Sequence, residues 1–315
     1  MTATNNIYSY SKYENGEANY TDTRTGEVLK AVNVNVPEGT ITRTPAEQEA
    51  IKLYYDKKKS EEEKWKHNAI IKKELGNFYF IPLHESFSDI SPQSAARLIF
   101  LATFGNYKGD LINSRGVCIK YSDLSGLLKL SKSEISTFAK EVCPKRYLVI
   151  NEKREIKLNT DVFFKGSLNK KAKSKEDFYQ RFYIKHIQRL YYKTTPSKHK
   201  NLGYIYKLLP FINIQNNIIC DNPFEEDIDK VHMMTLKEFC EMIDYDYSNV
   251  NRLLRVYKDI LFDVKYGSEV HKERFVSFVF DGLDKSKAKI IINPHIIYGG
   301  SDYNSVYKLG SFCKV

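Results

Sequence analysis

Apolar positions recur at helical spacing along much of this chain, and in two places they recur in the same order. From Leu124 the sequence reads LSGLLKLSKSEISTF, and from Phe239 it reads FCEMIDYDYSNVNRLL. The two stretches align without a gap at an offset of 115 residues. Leu127 falls on Met242, Leu128 on Ile243, Ser131 on Asp246, Ile135 on Val250 and Phe138 on Leu253. Each predicts a short amphipathic helix, a tight turn, a capping residue and a second helix, which is the helix-turn-helix pattern.

The flanking patterns repeat as well. Before the first pair, Phe78-Tyr79-Phe80-Ile81 predicts a strand, and Ser91-Pro92 opens a helix with Ala95, Leu98, Ile99, Ala102 and Thr103 on one face. A short strand is expected over 117–120, a helix over 123–128 capped by Ser122, and a helix over 132–142 capped by Ser131. Two strands, 147–150 and 155–158, follow around the charged turn Asn151-Glu152-Lys153-Arg154. The second set predicts a helix over 204–211, a strand over 231–234, a helix from Thr235 to Ile243 and a helix over 247–258 capped by Asp246. Its hairpin, 274–280 with 289–292, is longer and has a polar tip. Between the sets a helix is expected over 174–193, with Phe178, Phe182, Ile187 and Leu190 toward a core. On another side Arg181, Lys185, Arg189 and Lys193 recur every four residues, and Thr194-Thr195-Pro196 ends the helix.

The N-terminal part reads differently. Residues 1–43 are polar and extended, with turn signals at Asn15-Gly16 and from Pro37 to Gly39, and Val32, Val34 and Val36 alternate with asparagines. Thr44-Pro45-Ala46-Glu47 opens a helix that Gly76 stops. Its apolar stripe is thin (Ile51, Tyr54, Tyr55, Trp65, Ala69) and its middle, DKKKSEEEK, is nearly all charge. Such a helix either breaks near Ser60 or projects and pairs with a second copy of the chain. The expected fold class is therefore α+β, mainly α: two tandem winged helix-turn-helix domains joined by a basic helix, behind an N-terminal extension and helix. The expected boundaries are 1–76, 77–168, 169–200 and 201–315.

Composition narrows the partners. No apolar run reaches the roughly 18 residues of a membrane span, and the N-terminus lacks the basic start and apolar segment of a secretory signal. A cytoplasmic protein with no membrane partner is expected. The five cysteines are irregularly spaced, form no CxxC and stand apart from the seven histidines, so reduced thiols and no metal or other cofactor are expected. The formal charge is +10. Between Phe164 and Lys200 eleven Lys or Arg face only Glu176 and Asp177, a local excess of +9. Clustered positive charge attracts polyanions and releases their counterions.

A basic chain with two helix-turn-helix units points to double-stranded DNA. In the first unit Ile135, Phe138, Ala139 and Val142 follow core spacing, which turns Lys132, Ser133, Ser136, Thr137 and Lys140 outward. In the second, Val250, Leu253, Leu254 and Tyr257 turn inward and Tyr247, Ser248, Asn249, Asn251, Arg252 and Arg255 turn outward. Arg bonds a guanine edge with two donors and Asn matches an adenine edge, each good contact discriminating by about 1–3 kcal/mol. The second face suits base reading and the first, with Lys and hydroxyls, suits phosphates. Outward carboxylates are few: Glu134 and Glu141 in the first unit, none before Asp259 in the second. Lys153 and Arg154 at the first hairpin tip, and Lys285 and Lys287 at the second, are further candidates, as are Arg181, Lys185 and Arg189 on the connector.

Each unit closes on a related phrase, IKLNTDVFFKG from Ile156 and IIINPHIIYGG from Ile290. A strand followed by Asn-Pro, a hydrophobic pair, an aromatic residue and glycine resembles the end of the winged helix in RepL-type replication proteins of Firmicute plasmids. The Thr25-Gly26-Glu27 turn, the charged stretch and the aromatic strand Phe78 to Ile81 resemble the family's opening. The resemblance implies a winged-helix fold and a replication initiator or transcription regulator of a plasmid or phage. The chain departs from the family in carrying two units, a basic connector, and Asn159-Thr160 where the second unit has Asn293-Pro294.

Two other readings remain open at this point. Winged helices also dock proteins. His186-Ile187-Gln188-Arg189 is an HxxR that resembles the motif of tyrosine recombinases, although Leu190-Tyr191 follows it where that family has other residues. No GxxxxGK phosphate loop occurs, and no catalytic residue is expected under the DNA-binding reading.

Overall fold

In the computed structural model, residues 8–14, 17–22, 25–32, 45–168, 178–266, 268–280, 288–300 and 303–315 are described. The chain divides into two compact units, residues 1–69 and 70–315. The first holds an antiparallel meander of β1 (Tyr8–Glu14), β2 (Glu17–Asp22) and β3 (Val28–Val32). The turn signals at Asn15-Gly16 and Pro37 to Gly39, the valines at 34 and 36 and the Thr44 cap lie outside the described residues. Helix α1 (Pro45–Leu75) is continuous through Ser60, which removes the break there, one of the two alternatives for this helix. Lys57, Lys58 and Lys59 each stand four residues before a glutamate. Good helix formers and lysine–glutamate pairs one turn apart support the helix through this exposed stretch.

The second unit opens with β4 (Phe78–Pro82) and α2 (Pro92–Ala102). Helices α3 (Leu124–Leu128) and α4 (Lys132–Val142) and the hairpin of β5 (Leu148–Ile150) with β6 (Ile156–Leu158) follow. Then come β7 (Tyr179–Tyr183), α5 (Ile184–Lys193), α6 (His199–Lys207), α7 (Leu236–Met242) and α8 (Val250–Lys258). Two hairpins close the unit, β8 (Leu261–Tyr266) with β9 (Glu269–Arg274) and β10 (Val276–Val279) with β11 (Lys289–Ile292). The short β12 (Ile297–Tyr298) and α9 (Tyr303–Gly310) end the chain. The architecture is α+β with small antiparallel sheets.

Several expected elements are corrected. The connecting helix begins at Ile184, because 179–183 is a strand. Gln180 and Phe182 are buried while Tyr179 and Arg181 are half-buried, the period-two alternation of a strand, and the segment is aromatic-rich. Residues 174–177 of that predicted helix lie outside the described residues. The strands expected over 117–120 and 231–234 shrink to single bridges, Ile112 with Cys118, Lys120 with Glu155 and Cys220 with Met233. The helix expected over 204–211 starts five residues earlier and stops at Lys207, since Pro210 cannot continue it. The hairpin of β8 and β9 was not predicted.

The duplication survives in the backbone. Lys129 (φ 55°) and Asp244 (φ 52°), both non-glycine residues in the left-handed region, stand 115 residues apart in the two helix-turn-helix bends. Ser131 and Asp246 cap at the same offset, accepting from the amides of Glu134 and Ser248. The closing phrases match too. The side chains of Asn159 and Asn293 accept from the amide two residues on, and their backbone amides donate to Tyr147 and Phe275.

The two repeats meet face to face. β4 pairs with β7 antiparallel, with Phe80 opposite Arg181. Phe80 also bridges Phe164 at the end of the first repeat, and Arg181 pairs with Tyr298 at the end of the second. The sheet thus reads alike from either repeat. Above it α2 packs against α6. Predicted as amphipathic, α2 is buried from Ser94 to Ala102, because α6 covers the side its own domain leaves open. Gly203 lets the helices approach: a β-carbon there would lie 2.7 Å from Pro92 Cα.

Candidate nucleic-acid interface

Helix α4 divides as its sequence demands. Ile135, Phe138 and Val142 are buried, and each such side chain contributes about 1.5–3 kcal/mol of apolar burial. Lys132, Ser133, Thr137 and Lys140 are exposed and Ser136 is half-buried. The two carboxylates expected on this helix are occupied within the fold. Glu134 completes a capping box, accepting from the Ser131 amide at 3.0 Å, and lies 3.6 Å from Arg97 of α2. Hydrogen bonds from the Ser131 amide and hydroxyl, with Arg97 behind them, lower its pKa from the ordinary carboxylate value. Glu141, expected to face outward, is half-buried instead and accepts from the Ser91 amide and the Ser91 and Ser94 hydroxyls at the start of α2. Glu134 stays exposed, with Arg97 beside it, and the rest of the outer face of α4 carries cations and hydroxyls.

Helix α8 buries Val250, Leu253 and Tyr257, and Tyr257 donates to the Asn201 carbonyl at 2.9 Å. Leu254 is only half-buried. Tyr247, Ser248, Asn249, Asn251, Arg252 and Arg255 are all exposed. They are not equivalent. Tyr247–Asn249 forms a 3-10 turn ahead of the helix, and Asp246 gathers the Ser248 amide and hydroxyl and the Asn249 amide group. These bonds lower the Asp246 pKa. Asn251, Arg252 and Arg255 lie on the helix proper.

The remaining candidates separate further. At the first hairpin tip Lys153 is exposed, while Arg154, itself left-handed, stacks on Tyr121 with 4.5 Å from guanidinium to ring centroid. Lys285 and Lys287 lie outside the described residues. The expected basic stripe on the connector does not form. Arg181 sits on β7 and donates to the Gly300 carbonyl at 2.7 Å. Arg189 donates to the Asp263 carbonyl at 3.0 Å, and Lys193 pairs with the Asp263 carboxylate. Only Lys185 of that series is exposed without a bond of this kind. β8 supplies the acceptors for Arg189 and Lys193, and the segment after β12 that for Arg181, which is why sequence spacing missed them.

The HxxR does not make an open site. His186 is 2% exposed and neither ring nitrogen has a hydrogen-bond partner. Burial, with the nearby His295, Arg189 and Lys185 charges, pushes its pKa down to about 3. Among the described residues no cluster of His, Cys, Asp or Glu is placed to hold a metal ion, and no helix is long and apolar enough to cross a membrane. All five cysteines are free.

Sequence reasoning overlooked Arg97, buried in α2, which could be found only once α2 was known to be covered on all sides. It also overlooked Lys258, Arg274 and Phe312, which come together beside α8 from three separate segments. Comparison with known proteins finds no matching family model, no matching curated protein and no matching solved structure.

Proposed function

We propose that the chain is a sequence-specific double-stranded DNA-binding protein, built on two winged helices within one compact unit and acting at a promoter or replication origin of a phage or plasmid. The observation that carries this reading is the charge sorting on α4 and α8. Carboxylates that would repel a phosphate backbone are turned in or used as caps, and Lys132, Lys140, Arg252 and Arg255 are left outside. In this reading α4 anchors on phosphates through Lys132, Lys140 and its hydroxyls. Asn251, Arg252 and Arg255 of α8 read base edges. The paired repeats supply in one chain the two recognition helices that single-domain proteins bring together as dimers, for half-sites about 34–36 Å apart.

One face favours a second reading, protein docking. Met233, Met234 and Met242 line a groove rimmed by Asp221, Glu238 and Glu241, a surface unsuited to DNA. Salt titration separates the two. Duplex affinity is expected to fall steeply with salt, by a slope near 0.9 per neutralised phosphate. Lys132→Ala and Lys140→Ala should each lower that slope by about 1 without changing sequence preference. Arg252→Ala with Arg255→Ala should relax base preference. A salt-independent affinity, or a footprint unchanged in the double variant, overturns the assignment.

A further inference from the structure

A cleft of about 610 Å³ lies between α8, β10 and the segment that follows α9. Its size falls in the range of small-molecule sites. Arg255 and Lys258 enter it from α8 and Arg274 from the end of β9, and among the described residues no Asp or Glu lines it. Phe278, Phe280 and Phe312 form its apolar walls, and the rings at 280 and 312 are 39% and 53% exposed. Ser277, 5% exposed, turns into the lining beside the Cys313 thiol, to which it is hydrogen-bonded, while Arg274 donates through Nη1 to the Lys314 carbonyl at 3.3 Å and its Nε has no hydrogen-bond partner.

We propose that this cleft binds a nucleotide. Three cations without a counter-charge call for more than one negative charge, and a phosphate monoester carries about −1.5 to −2 near neutrality. Phenyl faces take a flat ring by stacking, which is how bases are held without sequence preference. The Arg274 Nε, buried without a partner, and the Arg255 and Lys258 side chains supply donors for phosphate oxygens. The ligand chemistry is a phosphate joined to a base, whether as a free nucleotide or as one residue of a single strand. Because Arg255 stands both on the cleft wall and on the face assigned above to DNA, occupancy competes with duplex binding. That last consequence rests on the proposed function, whereas the site itself does not.

The test is calorimetric titration of the full chain with AMP, adenosine, orthophosphate and an oligothymidylate, beside a duplex of the preferred sequence. AMP or the oligothymidylate should saturate one site per chain, with adenosine and orthophosphate at least about tenfold weaker. Stronger binding by AMP marks a free nucleotide as the source, and stronger binding by the oligothymidylate marks a single strand. Phe312→Ala should weaken this binding at least about tenfold while leaving duplex affinity intact. Lys258→Glu should abolish it. Arg252→Ala, outside the cleft, should weaken the duplex and leave the nucleotide untouched. Absence of saturable binding at millimolar AMP and oligothymidylate overturns the proposal, as does binding that neither Phe312→Ala nor Lys258→Glu changes. Failure of duplex binding alone would count against the proposed function and not against this site.

Discussion

Gly203→Ala tests the pairing of the repeats at its tightest point. On propensity alone the change should stabilise α6 by about 1 kcal/mol. The surroundings forbid that gain. The new β-carbon would lie 2.7 Å from Pro92 Cα and inside the envelope of the Pro92 carbonyl, where carbon atoms normally rest about 3.5–4.0 Å apart. The obstacle is backbone, and Pro92 is fixed in the first turn of α2 by its ring and by the Ser91 cap. Relief therefore requires α2 and α6 to separate by about 1 Å, against overpacking costs of about 1–3 kcal/mol. At the upper end of that range, set against the propensity gain, the net loss is about 2 kcal/mol, or roughly 4–8 °C in Tm for a unit of this size. Gly126→Ala is the control. Gly126 is exposed in α3 and has nothing within 4 Å of its would-be β-carbon, so the substitution should hold or raise Tm. Scanning calorimetry on both variants decides the matter. A Gly203→Ala protein as stable as the parent would show that α2 and α6 do not meet as described.

The buried imidazole gives a pH dependence. His186 titrates at about 3 in the folded chain and near 6.5 when unfolded, so the unfolded state binds the extra proton between those values. Its contribution is complete above about pH 6.5 and is lost at roughly 1.4 kcal/mol per pH unit as pH falls toward 3. Urea midpoints of His186→Phe against pH should show a shallower acid limb, and an unchanged limb would refute this. Phe138→Ala, at a core position of α4, should cost about 3–5 kcal/mol in urea unfolding, whereas Thr137→Ala on the exposed face should stay within about 0.5 kcal/mol and weaken only duplex binding. Equal stability losses in the two would mean that the faces of α4 have been assigned the wrong way round. Glu141→Ala strips the Ser91 and Ser94 hydroxyls of their shared acceptor. It should lower Tm without sharpening duplex affinity, and a gain in affinity would show that Glu141 faces the DNA.

What the sequence made legible was local. The helix-turn-helix bends, their caps at Ser131 and Asp246, and the inward positions of α4 and α8 follow from short-range spacing and capping chemistry, which the chain writes explicitly. The closing phrases around Asn159 and Asn293 were readable for the same reason, since an asparagine bonding two residues on is a local event. The tertiary events were not readable. Arg181, Lys185 and Arg189 looked like one face of a helix because arginine and lysine carry no mark of whether they will meet water or a carbonyl. The strand at 179–183 forms because β4 and β12 offer it edges on both sides, a non-local fact. The same blindness hid the roles of Arg97 and Glu141, whose partners lie 37 and 50 residues away in sequence.

The two repeats keep the same bends, cap positions and buried positions while their outer faces differ, and under the proposed function the difference bears on which side chains can read a base. In the first repeat the capping residue is Ser131, with Glu134 bonded back to it; the Ser133 hydroxyl meets the Ser131 hydroxyl at 3.1 Å and the Thr137 hydroxyl donates to the Ser133 carbonyl, so the outer face keeps its lysines. In the second the cap is Asp246, and it holds the Ser248 hydroxyl and the Asn249 amide. Those two groups cannot donate to a base edge until they leave a carboxylate that carries a full charge at neutral pH, because their own bonds hold its pKa down. Ser248 and Asn249 therefore act as framework for the start of α8. Under the proposed function, base discrimination in the second repeat then rests chiefly on Arg252 and Arg255 further along the helix, and the double arginine variant is the sharper probe of it for that reason.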